Sequence, residues 1–417
     1  MFWIIETTSQ LDIFDRQRFK EAFVEVIPFS PNTHPTLNPV SLVYIRPTIT
    51  AHKGYMLCLQ HNDAFHLEYS SIQQVLANIE KINVRDKKEF FHYFFHKSCY
   101  TTPLPPPPYI QEYTHTHEFY YRKFPNQENI NCIIPLTKHY EYCETLYSNL
   151  ESNPTSKFRA KADLVFNTIE KSGLKLNQEV YDSYFKYPAK DYVYTQYNLN
   201  TTTRRPSNKF GGINFAALNK DNGERKSFIP RNDYFLDIDL SAYHPTLLAK
   251  LIDFKFPEGD IHQAFAEMYG VDYKKAKELT FKQLYGGVFK QYEHLEFFKK
   301  VKVYTNNLWQ EFENQGYIEC PISKYKFKKE GLEDMNPQKL LNYLLQATET
   351  DMNVVMLWEI LRLLKGKNTK LTLYVFDSFL LDVDKDEKDV INEILEVFKK
   401  YKFNVKMVMG KNYGEMK

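Results

Sequence analysis

Long apolar runs are missing from this 417-residue sequence: none approaches the roughly 18 residues that cross a bilayer, so no membrane partner is expected. The opening MFWIIETTSQ has no basic stretch leading into a long apolar segment, so no signal peptide is expected either. Paired cysteines are also missing. Cys58, Cys99, Cys132, Cys143 and Cys320 form no Cys-x-x-Cys pair, which fits free thiols in a reducing, cytoplasmic compartment. There is no bulk charge, with 54 Lys and Arg against 52 Asp and Glu, so an anionic partner must be met by a local cluster. His61, Asp63 and His66, and separately His115 and His117, lack the spacing and cysteine company of a zinc motif.

What is present centres on residues 234–251, YFLDIDLSAYHPTLLAKL. Leu236, Ile238 and Leu240 alternate with Asp237 and Asp239, as on a half-buried strand, and Ser241 and Pro245 mark a turn into a helix. Two acids at the end of an apolar strand are costly unless a cation holds them; a solvated strand end is the alternative. A second stretch, LTLYVFDSFLLDV (371–383), reads as a β-hairpin with one acid, Asp377, in its middle. If the two strands are neighbours, Asp239 and Asp377 face each other and can bind two divalent ions, an arrangement used for in-line phosphoryl transfer.

Between them, GDIHQAFAEMYGVDYKKAKELTFKQLYGG (259–287) places Lys277, Phe281 and Tyr285 at four-residue intervals, on one helix face. A cation beside two rings suits a nucleoside triphosphate, while an amphipathic helix burying two aromatics is the plainer alternative. Together these stretches resemble the polymerase core of family A DNA polymerases, the bacterial polymerase I class. Asp239 falls in motif A and Asp377 in motif C. The Asp-Ile-His signature and the K-x-x-x-F-x-x-x-Y-G helix of the fingers are filled by Lys277, Phe281, Tyr285 and Gly286.

The resemblance implies an α/β (α+β) chain in three parts. Residues 1–105 read as a small α/β unit, with strands at 22–28, 40–46 and 55–60 and helices at 72–82 and 87–95. Its order resembles the RNase H-like, 3'-5' exonuclease-type domain that precedes the family A core. That domain has two acids, one residue apart, on its first strand; FVEVIPF here has only Glu25, and one carboxylate cannot hold two metals. A degenerate remnant without proofreading is therefore expected. The proline-rich TTPLPPPPY (101–109) reads as an extended spacer, and 106–200 as linker and helical connecting region, helical over 133–177 with Gly173 as a stop. Only residues 178–202 separate it from palm-like strands, so the thumb is expected to be largely missing, with low processivity or reliance on a processivity or replication partner. Residues 201–417 would form a right-hand palm and fingers, the fingers at about 255–330.

Within 201–233, Arg205, Asn214 and Arg225 fall on the family's primer-template-binding positions, with Arg204 in place of a glycine. Asn342 and Gln346 match its palm helix, and Asp351 reads as a structural pairing residue. A stripe of Ile391, Ile394, Leu395 and Phe398 marks a helix over 388–400, before a closing strand at 404–409.

There are departures. His244 stands where the family has the glutamate that excludes ribose 2'-hydroxyls; an imidazole could block the hydroxyl, especially if paired with Tyr285, or donate a hydrogen bond to it. Tyr273 replaces a triphosphate-contacting arginine, leaving Lys274 as its substitute, and Lys282 replaces a glycine. Motif C is Phe376-Asp377-Ser378 rather than His-Asp-Glu, a form that resembles single-subunit RNA polymerases; Asp237 is a candidate for the lost carboxylate or a surface acid. The expected activity is template-directed addition of dNTPs to a primer 3'-hydroxyl on a DNA primer-template. Asp239 and Asp377 hold two Mg²⁺ ions (or Mn²⁺) and Lys277 and Lys274 meet the phosphates. An RNA-synthesising or sugar-tolerant enzyme, or a non-catalytic nucleic-acid-binding descendant, are the alternatives.

Overall fold

The computed structural model describes residues 2–5, 7–28, 33–48, 54–59, 67–101, 136–148, 157–208 and 212–416. His61, Asp63, His66, His115, His117 and the prolines of the spacer lie outside them. The chain forms two compact units, Met1–Lys171 and Ser172–Lys417.

The first unit is built on a mixed sheet of β1 (Trp3–Ile5), β2 (Glu21–Pro28), β3 (Val40–Pro47), β4 (Tyr55–Cys58), β5 (Lys81–Val84) and β6 (Cys99–Thr101), in the order β1-β4-β3-β2-β5-β6. β2, β3 and β4 are antiparallel, and β5 and β6 continue from β2 in parallel. Around it lie α1 (Thr8–Asp15), α2 (Tyr69–Asn78), α3 (Lys87–Tyr93), α4 (Leu136–Ser148) and α5 (Lys157–Ser172). β2 is buried on both faces, so its inner residues are apolar on both sides apart from Glu25. The helix expected over 72–82 stops at Asn78: in Lys81–Val84 burial alternates, Ile82 and Val84 facing the core, so tertiary pairing with β2 makes it a strand. Within the helical stretch expected over 133–177 the described residues include α4 and α5, and α4 belongs to this unit because Cys143 and Leu146 pack on Phe23, Tyr44 and Met56 of the sheet.

Two buried acids here are already neutralised. Glu25 is ion-paired with Arg85 at 2.8 Å, and Arg85 also holds Glu89; burial pushes the Glu25 carboxyl up to about 7. Glu170 accepts from Lys88 at 2.6 Å and meets His92 at 2.7 Å. His34, His92 and Glu170 have donor atoms within 4.8 Å of one another. The Thr36 amide fills Nδ1 of His34 and the Lys88 ammonium fills one carboxylate oxygen, so this is a satisfied hydrogen-bond network.

The second unit begins with short elements: β7 (Leu174–Leu176), α6 (Gln178–Tyr184), β8 (Tyr192–Val193) and β9 (Tyr197–Asn198), then β10 (Ser207–Asn208) and β11 (Phe228–Ile229). Its central sheet is antiparallel, in the order β15-β16-β12-β17: β12 is Tyr234–Leu240, β15 Lys370–Val375, β16 Ser378–Val383 and β17 Val405–Gly410. The helices are α7 (Tyr243–Leu251), α8 (Ile261–Tyr269), α9 (Tyr273–Gly286), α10 (Glu296–Gln315), α11 (Pro337–Leu363) and α12 (Lys388–Lys400), with a small hairpin, β13 (Tyr317–Glu319) and β14 (Lys326–Lys328), between α10 and α11. Phe265, Phe297, Phe298, Phe312 and Leu340 form the core under α8, α9 and α10. α8 starts on Asp260, whose carboxylate accepts two backbone amides, and ends on Gly270 at φ +65, a conformation that glycine adopts without steric cost. α11 starts at Asn336-Pro337 and is buried around most of its circumference. On α12 the buried stripe is Val390, Ile394, Val397 and Phe398, so Ile391 and Leu395 lie at its margin, one position round from the expected face.

Candidate active site

Strand register decides the site. In the β12–β16 pair Asp239 lies opposite Ser378, which puts Asp377 one residue further along, at the turn. The Leu240 amide donates to the Asp377 carbonyl at 3.0 Å, closing the two acid-bearing segments on each other.

Both segments contain strained backbone. Val375 pairs with Ser378, so Phe376 and Asp377 make a two-residue turn, and Phe376 has φ +58. A phenylalanine in this region costs on the order of 1–3 kcal/mol and persists only where its surroundings over-determine it. Here the Asn353 amide donates to the Phe376 carbonyl at 2.9 Å, and the Arg205 guanidinium lies 3.9 Å over its ring. Between β12 and α7, Ala242 is likewise left-handed at φ +48. A third such residue is Arg204 at φ +66, in the left-handed region that favours glycine, with its guanidinium 4.3 Å over Tyr325.

Burial, then repulsion from Asp377 and Asp237, pushes the Asp239 carboxyl up to about 6. Asp377 is raised by burial and then by Glu349, and Asp237 by burial, although the Ser378 hydroxyl donates to it. Among the described residues neither Asp239 nor Asp377 is ion-paired with a side chain; Lys277 and Lys220 act on Asp239 from a distance. Hard oxygen donors with uncompensated negative charge fit a divalent cation such as Mg²⁺.

On α9, Lys277 is exposed and within electrostatic reach of both Asp239 and His262. Phe281 and Tyr285 stack with centroids 6.0 Å apart and planes at 9°. Lys274 is exposed on the first turn, Lys282 pairs with Glu278, and the Tyr273 hydroxyl donates to Asp260 at 3.1 Å. The Tyr285 hydroxyl meets Nδ1 of His244, and Nε2 of His244 meets Glu349. Glu349 also accepts from Arg205 at 2.9 Å.

Asn342 donates to the Tyr285 carbonyl at 3.1 Å, while its Oδ1 is buried with no hydrogen-bond partner among the described residues. Gln346 lies half-buried one turn further along. The structure thus brings Asp239, Asp377, His244, Tyr285, Phe281, Lys277, Arg205 and Asn342 into one connected site. Asn214 is exposed at the start of a short 3₁₀ turn. Arg225 is buried, donates to the Leu218 carbonyl at 3.0 Å and lies 4.7 Å over Tyr413, so its guanidinium is engaged within the fold. Asp351 accepts the Ser323 amide at 3.1 Å, a pairing contact.

Sequence reasoning passed over Glu349, Asn353 and Lys220. A signal for the first two exists: Asn342, Gln346, Glu349 and Asn353 are spaced 4, 3 and 4 residues apart, a polar stripe on one face of an otherwise apolar helix.

Of solved structures, the polymerase domain of Pol1 from M. smegmatis, in complex with DNA primer-template and dNTP, is similar over 100% of both chains, with a TM-score of 0.69 at 11% identity. The fold is therefore a mixed α/β polymerase-domain fold. No protein-family profile matches the sequence, and no curated protein matches it.

Proposed function

We propose that the protein is a template-directed DNA polymerase, a nucleotidyltransferase that adds deoxynucleotides to a primer 3'-hydroxyl. The observation that carries this reading is the pair of half-buried carboxylates, Asp239 near the end of β12 and Asp377 in the adjoining β15–β16 turn, with no contacting cation among the described residues and with Lys277 within electrostatic reach of Asp239. The M. smegmatis domain of like fold holds primer-template and dNTP.

Asp239 and Asp377 would hold Mg²⁺, or Mn²⁺ in its place; such ions, when bound, lower the pKa of an attacking hydroxyl and neutralise phosphate charge. Lys277, with Lys274 one turn away, stabilises negative charge on the leaving pyrophosphate. Phe281 and Tyr285 offer flat apolar faces to the nascent pair, and Asn342, Gln346 and Arg205 line the approach of the primer-template. Template pairing selects the base. Asn214 contributes from the exposed loop, whereas Arg225 acts mainly by holding that loop together.

Two accessory features follow the same reading. Glu25, neutralised by Arg85, is no metal-binding pair, which supports a proofreading-deficient remnant over residues 1–105. The elements of 173–202 are short, which supports a reduced thumb, low processivity and reliance on a partner protein.

The test is extension of a labelled DNA primer on a DNA template with Mg²⁺, deoxynucleotides and ribonucleotides supplied separately, with Asp377→Asn as control. Deoxynucleotide addition that disappears in the control supports the reading. Ribonucleotide addition at a comparable rate replaces it with an RNA-synthesising or sugar-tolerant enzyme. No addition with either sugar, under Mg²⁺ or Mn²⁺, leaves a nucleic-acid-binding descendant.

A further inference from the structure

Glu349 has no exposed surface, yet it joins three elements of the site. Its Oε1 accepts Nε and Nη2 of Arg205 at 3.2 and 2.9 Å, and its Oε2 meets Nε2 of His244. An ionised carboxylate can only accept, so Nε2 of His244 carries a proton. In the neutral imidazole Nδ1 is then a bare acceptor, and the Tyr285 hydroxyl fills it. Both ring nitrogens of His244 are therefore spent inside the protein, and the ring is 6% exposed.

We propose that Glu349 is the positioning residue that sets sugar choice, by locking His244 in a tautomer and orientation that offer no hydrogen-bonding atom to a nucleotide's 2' position. The inference rests on the reading of the site as one for templated nucleotide addition. The sequence leaves two roles open for this imidazole, blocking a 2'-hydroxyl or donating to it, and the hydrogen bonds decide for blocking. A 2'-hydroxyl pressed against a ring edge with no free nitrogen loses its water without gaining a partner. Such a mismatch is worth roughly 10- to 100-fold in kcat/KM. Glu349 touches no nucleotide, because Arg205 and His244 enclose its carboxylate; it acts through them. Removing it frees Nε2 and lets the ring turn, so that a ring N–H becomes available to a ribose.

Single-nucleotide extension by the full chain tests this, reading kcat/KM for dATP and for ATP opposite the same template base. In Glu349→Ala the dATP-to-ATP ratio is expected to fall at least tenfold, chiefly through a lower KM for ATP. Glu349→Gln, whose amide oxygen still accepts from Nε2, restores most of the ratio. A parallel loss with both nucleotides and an unchanged ratio would mean a merely structural Glu349 and would overturn the proposal. Should the wild type add neither nucleotide, the functional reading falls separately. Equilibrium binding of dATP and ATP to the wild type and Glu349→Ala then judges the sugar preference, equal ratios overturning it. Should Glu349→Ala not fold, ¹⁵N-detected imidazole spectra of the wild type decide: the Nε2–H tautomer at neutral pH is expected, and the Nδ1–H tautomer overturns the proposal.

Discussion

Asn353 donates its side-chain amide to the carbonyl of Phe376 at 2.9 Å and thereby holds the backbone that presents Asp377. The same side chain accepts from Tyr243 at 2.7 Å and donates to Tyr374 at 2.8 Å, so every polar atom of this buried amide is used. Asn353→Ala leaves these partners unpaired, at a cost of about 1–3 kcal/mol. It is expected to lower the melting temperature and, by releasing the turn, to cut primer extension at least tenfold at temperatures where the variant is still folded. Full activity in a folded Asn353→Ala protein would show that the turn holds itself.

Asp239 links pH, metal and stability. Its carboxyl lies at about 6 in the folded protein against an ordinary 3.8, so the folded state binds the proton more tightly than the unfolded chain. That contribution to stability is complete below about pH 4 and is lost as pH rises through 6. Two pK units correspond to about 2.7 kcal/mol, reduced to about 1 kcal/mol for a carboxylate partly screened by solvent. Metal-free Asp239→Asn is therefore expected to melt a few degrees higher than the metal-free wild type at pH 7.5 and alike at pH 4. Mg²⁺ should stabilise the wild type at pH 7.5 and lose that effect on acidification through pH 6. Differential scanning fluorimetry across pH checks both; a destabilised Asn variant at pH 7.5 would contradict the repulsion described for the carboxylates.

Lys277 and Arg225 should separate by phenotype. Lys277 is exposed, so Lys277→Ala is expected to change stability by less than about 0.5 kcal/mol while lowering nucleotide incorporation roughly 100- to 1,000-fold. Arg225 is buried against Leu218 and Tyr413, so Arg225→Ala is expected to destabilise the fold by about 2 kcal/mol and to leave the salt dependence of DNA binding unchanged. Urea melts and salt-titrated DNA binding distinguish them, and a flatter salt slope in Arg225→Ala would return that residue to the DNA-contacting set.

The first unit is expected to be silent as a nuclease. A primer with a mismatched, labelled 3' end should keep its full length in Mg²⁺ or Mn²⁺ without nucleotides. Metal-dependent shortening that Glu25→Gln abolishes would mean that Glu25 escapes Arg85 and works with a second acid.

How far the sequence could be read depended on whether a residue's role was local. The alternation through 235–240 and the lone acid in 371–383 mark both carboxylates, because an apolar strand tolerates a charge only for a reason that is itself local. The four-residue intervals of Lys277, Phe281 and Tyr285 mark the third component in the same way. Lys81 and Ile82 were legible only as the end of a helix, since nothing in those residues states that β2 waits beside them. Glu349 was missed because an acid in an apolar helix reads as a surface position until its partners, 105 and 144 residues away, are in place. Arg225 is the opposite case: a basic residue in a loop looks available for phosphate, and only packing shows its guanidinium donating to the Leu218 carbonyl over the Tyr413 ring.

The stripe along α11 gives this helix the part of a common datum. Asn342 fixes the end of α9 through the Tyr285 carbonyl, Glu349 fixes His244 and Arg205, and Asn353 fixes the turn bearing Asp377. These attachments span eleven residues, about 16 Å of helix, on a rod whose other faces are clamped by Leu340, Leu344, Leu345, Val354 and Leu357. The aromatic side of the site and its acid side are therefore measured from one ruler. If that ruler slides or tilts, both ends shift together, so the spacing between the stacked rings and the carboxylates survives small motions of the surrounding helices.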